Sequence, residues 1–411
     1  MSRFLALAFR NLFRNRRRTA MALLVVGGGV AGLLLVGGFF SYMFWGFRET
    51  TINNGIGHLQ IYNAAFFEKD ETRTLEHGLE HVDGVARAAA ALPHVKGVAP
   101  RIEFFGMCSN GMKSGTYMAT AVVPELENKL GFNLNVVKGR DLAPAAEAGP
   151  RNEALLGAGL ARSMSAKPGD SLTLLAVTTD GALNGIDIDV VGIISTGIKE
   201  FDDRVIRMTV PAAQRLLQTE RVTKLVVGLD NTDQTPIAKA GLASRLNATG
   251  QRLTVKDWQE LSPMYKQMIM LFGAILVFMA VIVFFMTVMS SANTLLMAMF
   301  ERTREIGTML AMGTPRSWIL SLFMLEGVLT GILGAAVGVA LGNGAAWLLN
   351  RSGLQMPPPP GNSTGFPFHV QHVPELMIGA SVLVVITLTL ASILPAVRAS
   401  RIRIVEALAH V

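Results

Sequence analysis

The sequence predicts a membrane α-helical protein with four transmembrane helices and a large α+β domain of two subdomains between spans one and two. Three observations carry this expectation. Half of the 411 residues are hydrophobic and only 16% are charged, with a mean hydropathy of +0.40, too apolar for an ordinary soluble chain. Four stretches reach the roughly 20 apolar residues that a bilayer core of about 30 Å demands. The excess positive charge flanks those stretches instead of gathering on one soluble face.

The expected organisation follows residue by residue. A basic amphipathic helix occupies 1–18, with Phe4, Leu5, Ala8, Phe9, Leu12 and Phe13 at helical spacing and Arg3, Arg10 and Arg14 opposite, the pattern of a helix lying in the headgroup plane. Span one covers 19–47; its apolar run is longer than that of a cleaved signal peptide and no small-residue cleavage site follows, so it is expected to stay attached. Residues 48–266 form the outside domain, reading as two βαβ-like pieces around an inserted β-rich subdomain at about 125–222. Spans two, three and four are expected at 267–300, 317–350 and 376–397. They are joined by a cytoplasmic connection at 301–316 and a proline-rich outside loop at 351–375, and a cytoplasmic tail follows at 398–411.

Charge sets the orientation. Segments 1–18, 301–317 and 398–411 hold twelve Arg against three Glu, a net +9, whereas 48–266 holds 24 basic against 25 acidic residues. By the positive-inside rule the three arginine-rich segments and both termini are expected to face the cytoplasm. The same dispersal argues against nucleic acid as a partner, despite a net charge of +7. The apolar content excludes disorder, and the single cysteine, Cys108, excludes a disulfide scaffold.

Signals of catalysis are weak. His77, Glu80 and His81 spell H-x-x-E-H, a zinc motif when it lies on a helix, but Gly78 interrupts the helix and no third ligand is evident; the segment reads as a solvated polar face. Gly106–Ser114 places its lysine one residue away from where a phosphate loop needs it and lacks a following helix. The expectation is therefore no catalytic residue, no metal and no cofactor on this chain. Glu326 is the one ionisable residue inside a span. It lies roughly 13 Å deep at 1.5 Å per residue. A proton relay wants an ionisable partner in another span and none exists, so a bond to a polar group on a neighbouring helix is expected. The methionines of span two, such as Met268, Met279 and Met289, suit either an adaptable apolar path or plain lipid contact.

The 301–316 connection is the most informative stretch. Ile306, Met309 and Leu310 recur at i, i+3 and i+4 behind Arg302, Arg304 and Glu305, an apolar patch on a short helix that is available for docking a partner. Gly313 ends that helix, and Thr314 with Pro315 is expected to cap and open span three.

Residues Arg302–Gly313, the L-F-x-L-E-G run Leu322–Gly327 and the P-A-x-R-A-S-R-x-x-x-V-E-A-L run Pro395–Leu408 together resemble the permease family that includes FtsX, the macrolide exporter MacB and the lipoprotein-releasing permeases, the type VII ABC systems. LPHVKGVAPRI, KPGDSLTL and VVGIISTGIKEFDDR are similar to the lipoprotein-releasing branch. The resemblance implies a MacB-like outside domain, a permease dimer (homo- or hetero-), and a separate cytoplasmic ATPase dimer that carries ATP and Mg. It also implies a coupling helix formed by Arg302, Arg304, Glu305, Ile306, Met309, Leu310 and Gly313. The substrate class it implies is lipid-anchored or amphipathic, extracted on the outer side of the inner membrane. Only about nine residues, TTDGALNGI, stand where the chaperone-binding permease carries a protruding hook, which puts docking of a periplasmic carrier in question. An FtsX-like mechanical transmitter controlling a cell-wall enzyme is the rival within the family. A sensor would want a cytoplasmic signalling domain, and the expected cytoplasmic segments are too short for one.

The charge distribution makes one direct prediction. A cysteine replacing Gly181, in a Cys108-free background, reacts with a membrane-impermeant thiol reagent in intact spheroplasts. Labelling only after lysis would refute the orientation.

Overall fold

A computed structural model describes residues 8–12, 14–67, 75–132, 135–144, 152–247, 252–357, 365–404 and 407. The expected start of the amphipathic helix at Arg3–Leu5, most of the proline run after Met356 and most of the tail after Ile404 lie outside the described residues.

In chain order the elements begin with α1 (Arg16–Thr51), β1 (Leu59–Asn63), α2 (Val82–Ala90), β2 (Val95–Ser109), β3 (Ser114–Val122), α3 (Pro124–Leu130), β4 (Asn135–Gly139), β5 (Glu153–Gly157) and α4 (Ala158–Met164). There follow β6 (Ser171–Val177), β7 (Leu183–Ser195), α5 (Lys199–Asp202), β8 (Val205–Thr209), α6 (Val210–Leu217), β9 (Lys224–Leu229), α7 (Thr235–Asn247), β10 (Leu253–Asp257) and α8 (Trp258–Leu261). The chain closes with α9 (Pro263–Glu301), α10 (Thr303–Ala311), α11 (Arg316–Arg351) and α12 (Pro374–Ser400). Two compact units result. One holds Met1–Trp45, Gln267–Met356 and Pro367–Val411; the other holds Gly46–Lys266 and Pro357–Phe366.

In the second unit, β10-β1-β9-β2 form an antiparallel sheet in which β1 and β2 run parallel with β9 between them. Each strand–helix–strand passage thus crosses one intervening strand, the split βαβ arrangement. Leu59, Ile61, Leu225 and Val227 make the buried face of this sheet, against Val85 and Ala89 of α2 and Leu242 of α7. The second half of β2 belongs to another set of pairings, β2-β3-β8-β5-β7-β6 and back to β2, a closed ring of six strands with β4 added on β7. Closure removes the exposed edges that an open sheet of these short strands would present.

The inserted subdomain therefore starts at Ile102, ahead of the expected 125. The reason is that β2 is one 15-residue strand that serves both sheets. The β6–β7 connection is also shorter than its nine-residue reading: both strands run into it and leave only 178–182, closed by Thr178 N–H donating to Ala182 O at 2.8 Å. Gly181 sits there at φ +82°, so the exposed neighbours Asp180 and Ala182 accept a labelling cysteine with less strain.

Among the described residues, α1, α9, α11 and α12 are long and apolar enough to cross a membrane. In the first unit, α11 is the hub, because its glycines form two stripes. A Cβ on Gly334 would lie 2.4 Å from Val26 Cγ1, one on Gly338 2.5 Å from Val30 Cβ, and one on Gly342 3.3 Å from Ala31 Cα, so this stripe admits α1. Gly327 and Gly331 admit α12, where added carbons would meet Ser392 Cβ at 2.7 Å and Val385 Cα at 3.0 Å. Small residues every fourth position let helix backbones approach within a membrane, where no hydrophobic difference between helix and lipid drives association. By contrast α9 turns Met270, Val277, Phe285, Met286 and Met289 outward.

The stripes generate a test. Gly338→Leu should lower the thermal midpoint of the micelle-solubilised chain, at a cost of about 1–3 kcal/mol for overpacking. Gly344→Leu, which meets open space, should leave it unchanged.

Candidate functional site

The 301–316 connection is built by a break and a stop. α9 ends at Glu301, Arg302 leaves helical geometry at φ −111°, ψ 12°, and α10 starts at Thr303. At the other end Gly313 adopts φ +90°, with its N–H donating to Leu310 O at 3.1 Å and Thr314 N–H donating to Met309 O at 3.0 Å, a Schellman closure. Gly313 thus ends the helix as expected. Thr314 does not cap span three: Pro315 takes the N-cap position with extended backbone and α11 begins at Arg316. Proline serves at the N-cap because its missing N–H would find no partner there.

The apolar patch faces the other way from its sequence reading. Ile306 is 2% exposed, packed with Met299, Ile319, Phe323, Ala396 and Ala399, and Met309 and Leu310 lean on the same cluster. A Cβ on Gly307 would lie 2.6 Å from the Ala407 Cβ. Gly307 therefore packs directly against Ala407. Ile306 is core of this chain, with Met309 and Leu310 half-buried against it, and Arg304, Glu305, Thr308, Ala311 and Met312 are the exposed side chains of the segment. Amphipathicity alone does not say which partner covers the apolar side.

Arg302 is also turned inward. Its Nη1 donates to Glu326 Oε1 at 2.9 Å, Asn11 Nδ2 donates to the same oxygen at 3.0 Å, and Arg302 Nη2 donates to Asn11 O at 2.9 Å. Both charged residues are nearly sealed, at 6% and 4% exposure. Glu326 is thus bonded to a polar group on a neighbouring segment, Asn11, and beyond that expectation also to a full charge, Arg302. A cavity of about 40 Å³ adjoins the pair, with Thr19, Ser290, Ser291, Thr294 and Thr330 as well as Val26, Leu295 and Leu388 among its lining residues. The arrangement ties the start of α10 to a point more than two turns inside α11.

A second buried cluster lies in the other unit. Arg101, where β2 passes from one sheet to the other, makes a two-pronged pair with Glu127 of α3, Nε to Oε1 at 2.8 Å and Nη2 to Oε2 at 2.7 Å. Arg207 of β8 adds Nη2 to Oε2 at 2.6 Å, and Arg101 Nη1 also donates to the carbonyl of Gly55, just past α1. Burial holds the Arg207 guanidinium below its ordinary range, against the pull of Glu127. Nearby, burial likewise lowers the Lys224 ammonium, opposed by Glu103 at 2.7 Å. The sequence reading missed this cluster. Its members stand 26 and 80 residues apart, so no local spacing announces them.

The remaining motifs resolve into structure. His77 lies in a turn, His81 at φ +50° precedes α2, which starts at Val82, and Glu80 pairs with Arg221 at 2.7 Å; the two imidazoles share no helical face. Gly106–Ser114 is the end of the β2–β3 hairpin.

The buried pair generates a prediction. Glu326→Ala strands a guanidinium in an apolar unit, which should cost about 3–5 kcal/mol, whereas Arg302→Met with Glu326→Leu should recover most of the loss. Yield and thermal midpoint in micelles report both. A double variant no better than the single would show that the pair is not coupled. Met309→Asp or Leu310→Asp should now also destabilise the chain, since either puts a charge into its own core.

Comparison with known proteins supplies the family. A family model described as "MacB-like periplasmic core domain" matches residues 19–245, and one described as "FtsX-like permease C-terminal" matches 272–404. The lipoprotein-releasing system transmembrane protein LolE of Haemophilus influenzae is 23% identical over 352 residues, 80% of each chain. LolC of Neisseria meningitidis, with the same descriptive name, is 24% identical over 263 residues, 62% of this chain and 61% of that one. The macrolide export ATP-binding/permease protein MacB of Sodalis glossinidius is 26% identical over 353 residues, 82% of this chain but 51% of that one. Since the MacB-like match alone takes in more than half of the sequence, the chain belongs to the type VII ABC-transporter permeases, bacterial inner-membrane proteins that join a MacB-like core domain to an FtsX-like C-terminal half.

Proposed function

We propose that this chain is the permease half of a transporter that draws a lipid-anchored or amphipathic substrate, a lipoprotein above all, out of the inner membrane on its outer side, driven by ATP hydrolysis on a separate ATPase dimer. The observation that carries the reading is the alignment with a lipoprotein-releasing protein over 80% of both chains, spanning the outer domain as well as the helices. The relative whose name includes ATP binding is about twice as long as the part this chain matches, consistent with ATP turnover on another polypeptide. A second permease copy or a related subunit completes the membrane part. Both termini and the 301–316 connection face the cytoplasm, following the charge excess of 1–18, 301–317 and 398–411.

In this reading α10 takes the thrust of the ATPase on Arg304, Thr308, Ala311 and Met312, while Ile306, Met309 and Leu310 bind the helix to its own permease. Motion of α10 then reaches α11 at Glu326. The short 178–182 turn offers a periplasmic carrier little to grip, so carrier docking at that hairpin is not part of the proposal.

Co-purification from native membranes tests it. The chain alone in lipid should turn over no ATP, and the co-purified complex should do so and release a lipidated protein. Met312→Asp, on a side chain that is 74% exposed, should leave yield unchanged but release the ATPase. The loss expected is several kcal/mol for each buried unpaired charge, enough to undo a micromolar contact. An ATPase that stays bound and active with Met312→Asp would remove α10 from the coupling role.

A further inference from the structure

The basic segment ahead of span one is fastened to the 301–316 connection. Arg14 Nη1 donates to Glu305 at 2.8 and 3.1 Å, Arg18 Nη1 donates to Glu301 at 2.8 Å, and between them Asn11 exchanges bonds with Glu326 and Arg302. Asn11 and Arg14 precede the bend at Asn15 and Arg18 lies in the first turn of α1, so the three contacts fall on both sides of that joint. Their partners Glu301, Arg302 and Glu305 straddle the break between α9 and α10. The expected headgroup-facing arginine surface is therefore partly a protein contact. Arg10 stays exposed, but Arg14 and Arg18 are committed to carboxylates.

The fastening is graded. Both outer pairs leave at least one partner about half exposed, and such pairs are individually weak. The central contact is better shielded: Asn11 is half-buried and bonds to the sealed Arg302–Glu326 pair on both sides, so letting it go would leave Glu326 Oε1 and Arg302 Nη2 each short of one hydrogen bond. A displacement of α10 therefore carries Asn11 with it. Asn15 forms a bend directly ahead of α1 at Arg16, and Thr19 N–H donates to Asn15 O across that joint at 3.1 Å.

We propose that residues 8–12 and 14–18 serve as a second transmission arm, through which α10 moves span one while Glu326 moves span three. Asn11, Arg14 and Arg18 are positioning residues, acting through α10 and touching no substrate. The proposal rests on the reading above that α10 receives the thrust of an ATPase.

The test uses the complex purified with its ATPase, in a Cys108→Ser background, and reads substrate released per ATP hydrolysed. Arg14→Glu with Arg18→Glu should keep yield and ATP turnover but lower release per ATP about tenfold, in the range of ordinary coupling between sites. Adding Glu301→Arg and Glu305→Arg should restore it. If the reversals impair folding, Arg14→Gln with Arg18→Gln removes the pairs without repulsion and should give the same loss. Arg14→Cys with Glu305→Cys, joined by a short bifunctional maleimide, should release at the native ratio, whereas the same pair blocked by a monofunctional maleimide should not. Native release per ATP in the reversed and glutamine variants, or a block of release on joining, overturns the arm while leaving the transporter reading intact. Failure of any ATPase to co-purify overturns that reading, and the arm with it.

Discussion

A charge sealed in an apolar surrounding must be answered by another charge, and in the membrane unit that demand meets at Glu326. Its carboxylate holds Arg302 at the point where the chain leaves helical geometry between α9 and α10. Arg302 in turn engages Asn11. One pair thus sets the position of three segments that are remote in sequence. Replacing such a pair with apolar side chains is often tolerated thermodynamically. What would be lost is the requirement that the three segments stay in register with one another.

The outer unit follows the same logic with different material. Its two sheets share β2, and where the strand changes allegiance Arg101 gathers Glu127 and, through it, Arg207, with the backbone of Gly55 as a further acceptor. A two-pronged guanidinium–carboxylate pair fixes orientation as well as distance. The exit of α1 is thereby tied to the joint between the split βαβ sheet and the ring. His58, next along the chain, accepts from Leu229 N–H through Nδ1, and burial lowers its pKa to about 4, so it remains a neutral acceptor near neutral pH.

The parts of this fold that were legible in the sequence are those set by local periodicity. The four long helices, the Gly313 stop and most strands follow from apolar runs and turn residues, because those signals act over a few residues. The start of the inserted subdomain was misplaced, since a 15-residue strand carries no mark where its partners change. The direction of the Ile306 patch was misread for a related reason: an amphipathic helix shows that one face is covered but not by what. The glycine series at 327, 331, 334, 338 and 342 was readable as close-packing spacing and went unused. The Arg101 and Asn11 contacts join residues tens to hundreds of positions apart, and one sequence without its relatives holds no record of such pairings.

The shared strand also orders the birth of the molecule. β2 cannot complete its first sheet until β9 arrives more than a hundred residues later, and β10 must then close on β1. The ring, whose strands all lie between, is finished first during synthesis. The split βαβ sheet waits with β1 and half of β2 unpaired, and such long-range closures are slow. A chain halted just before Lys224 would present a folded ring beside a bare strand edge, the feature that invites association with other chains. Substitutions that weaken β9 or β10 are therefore expected to act on maturation, by prolonging that half-built stage, as much as on the finished protein.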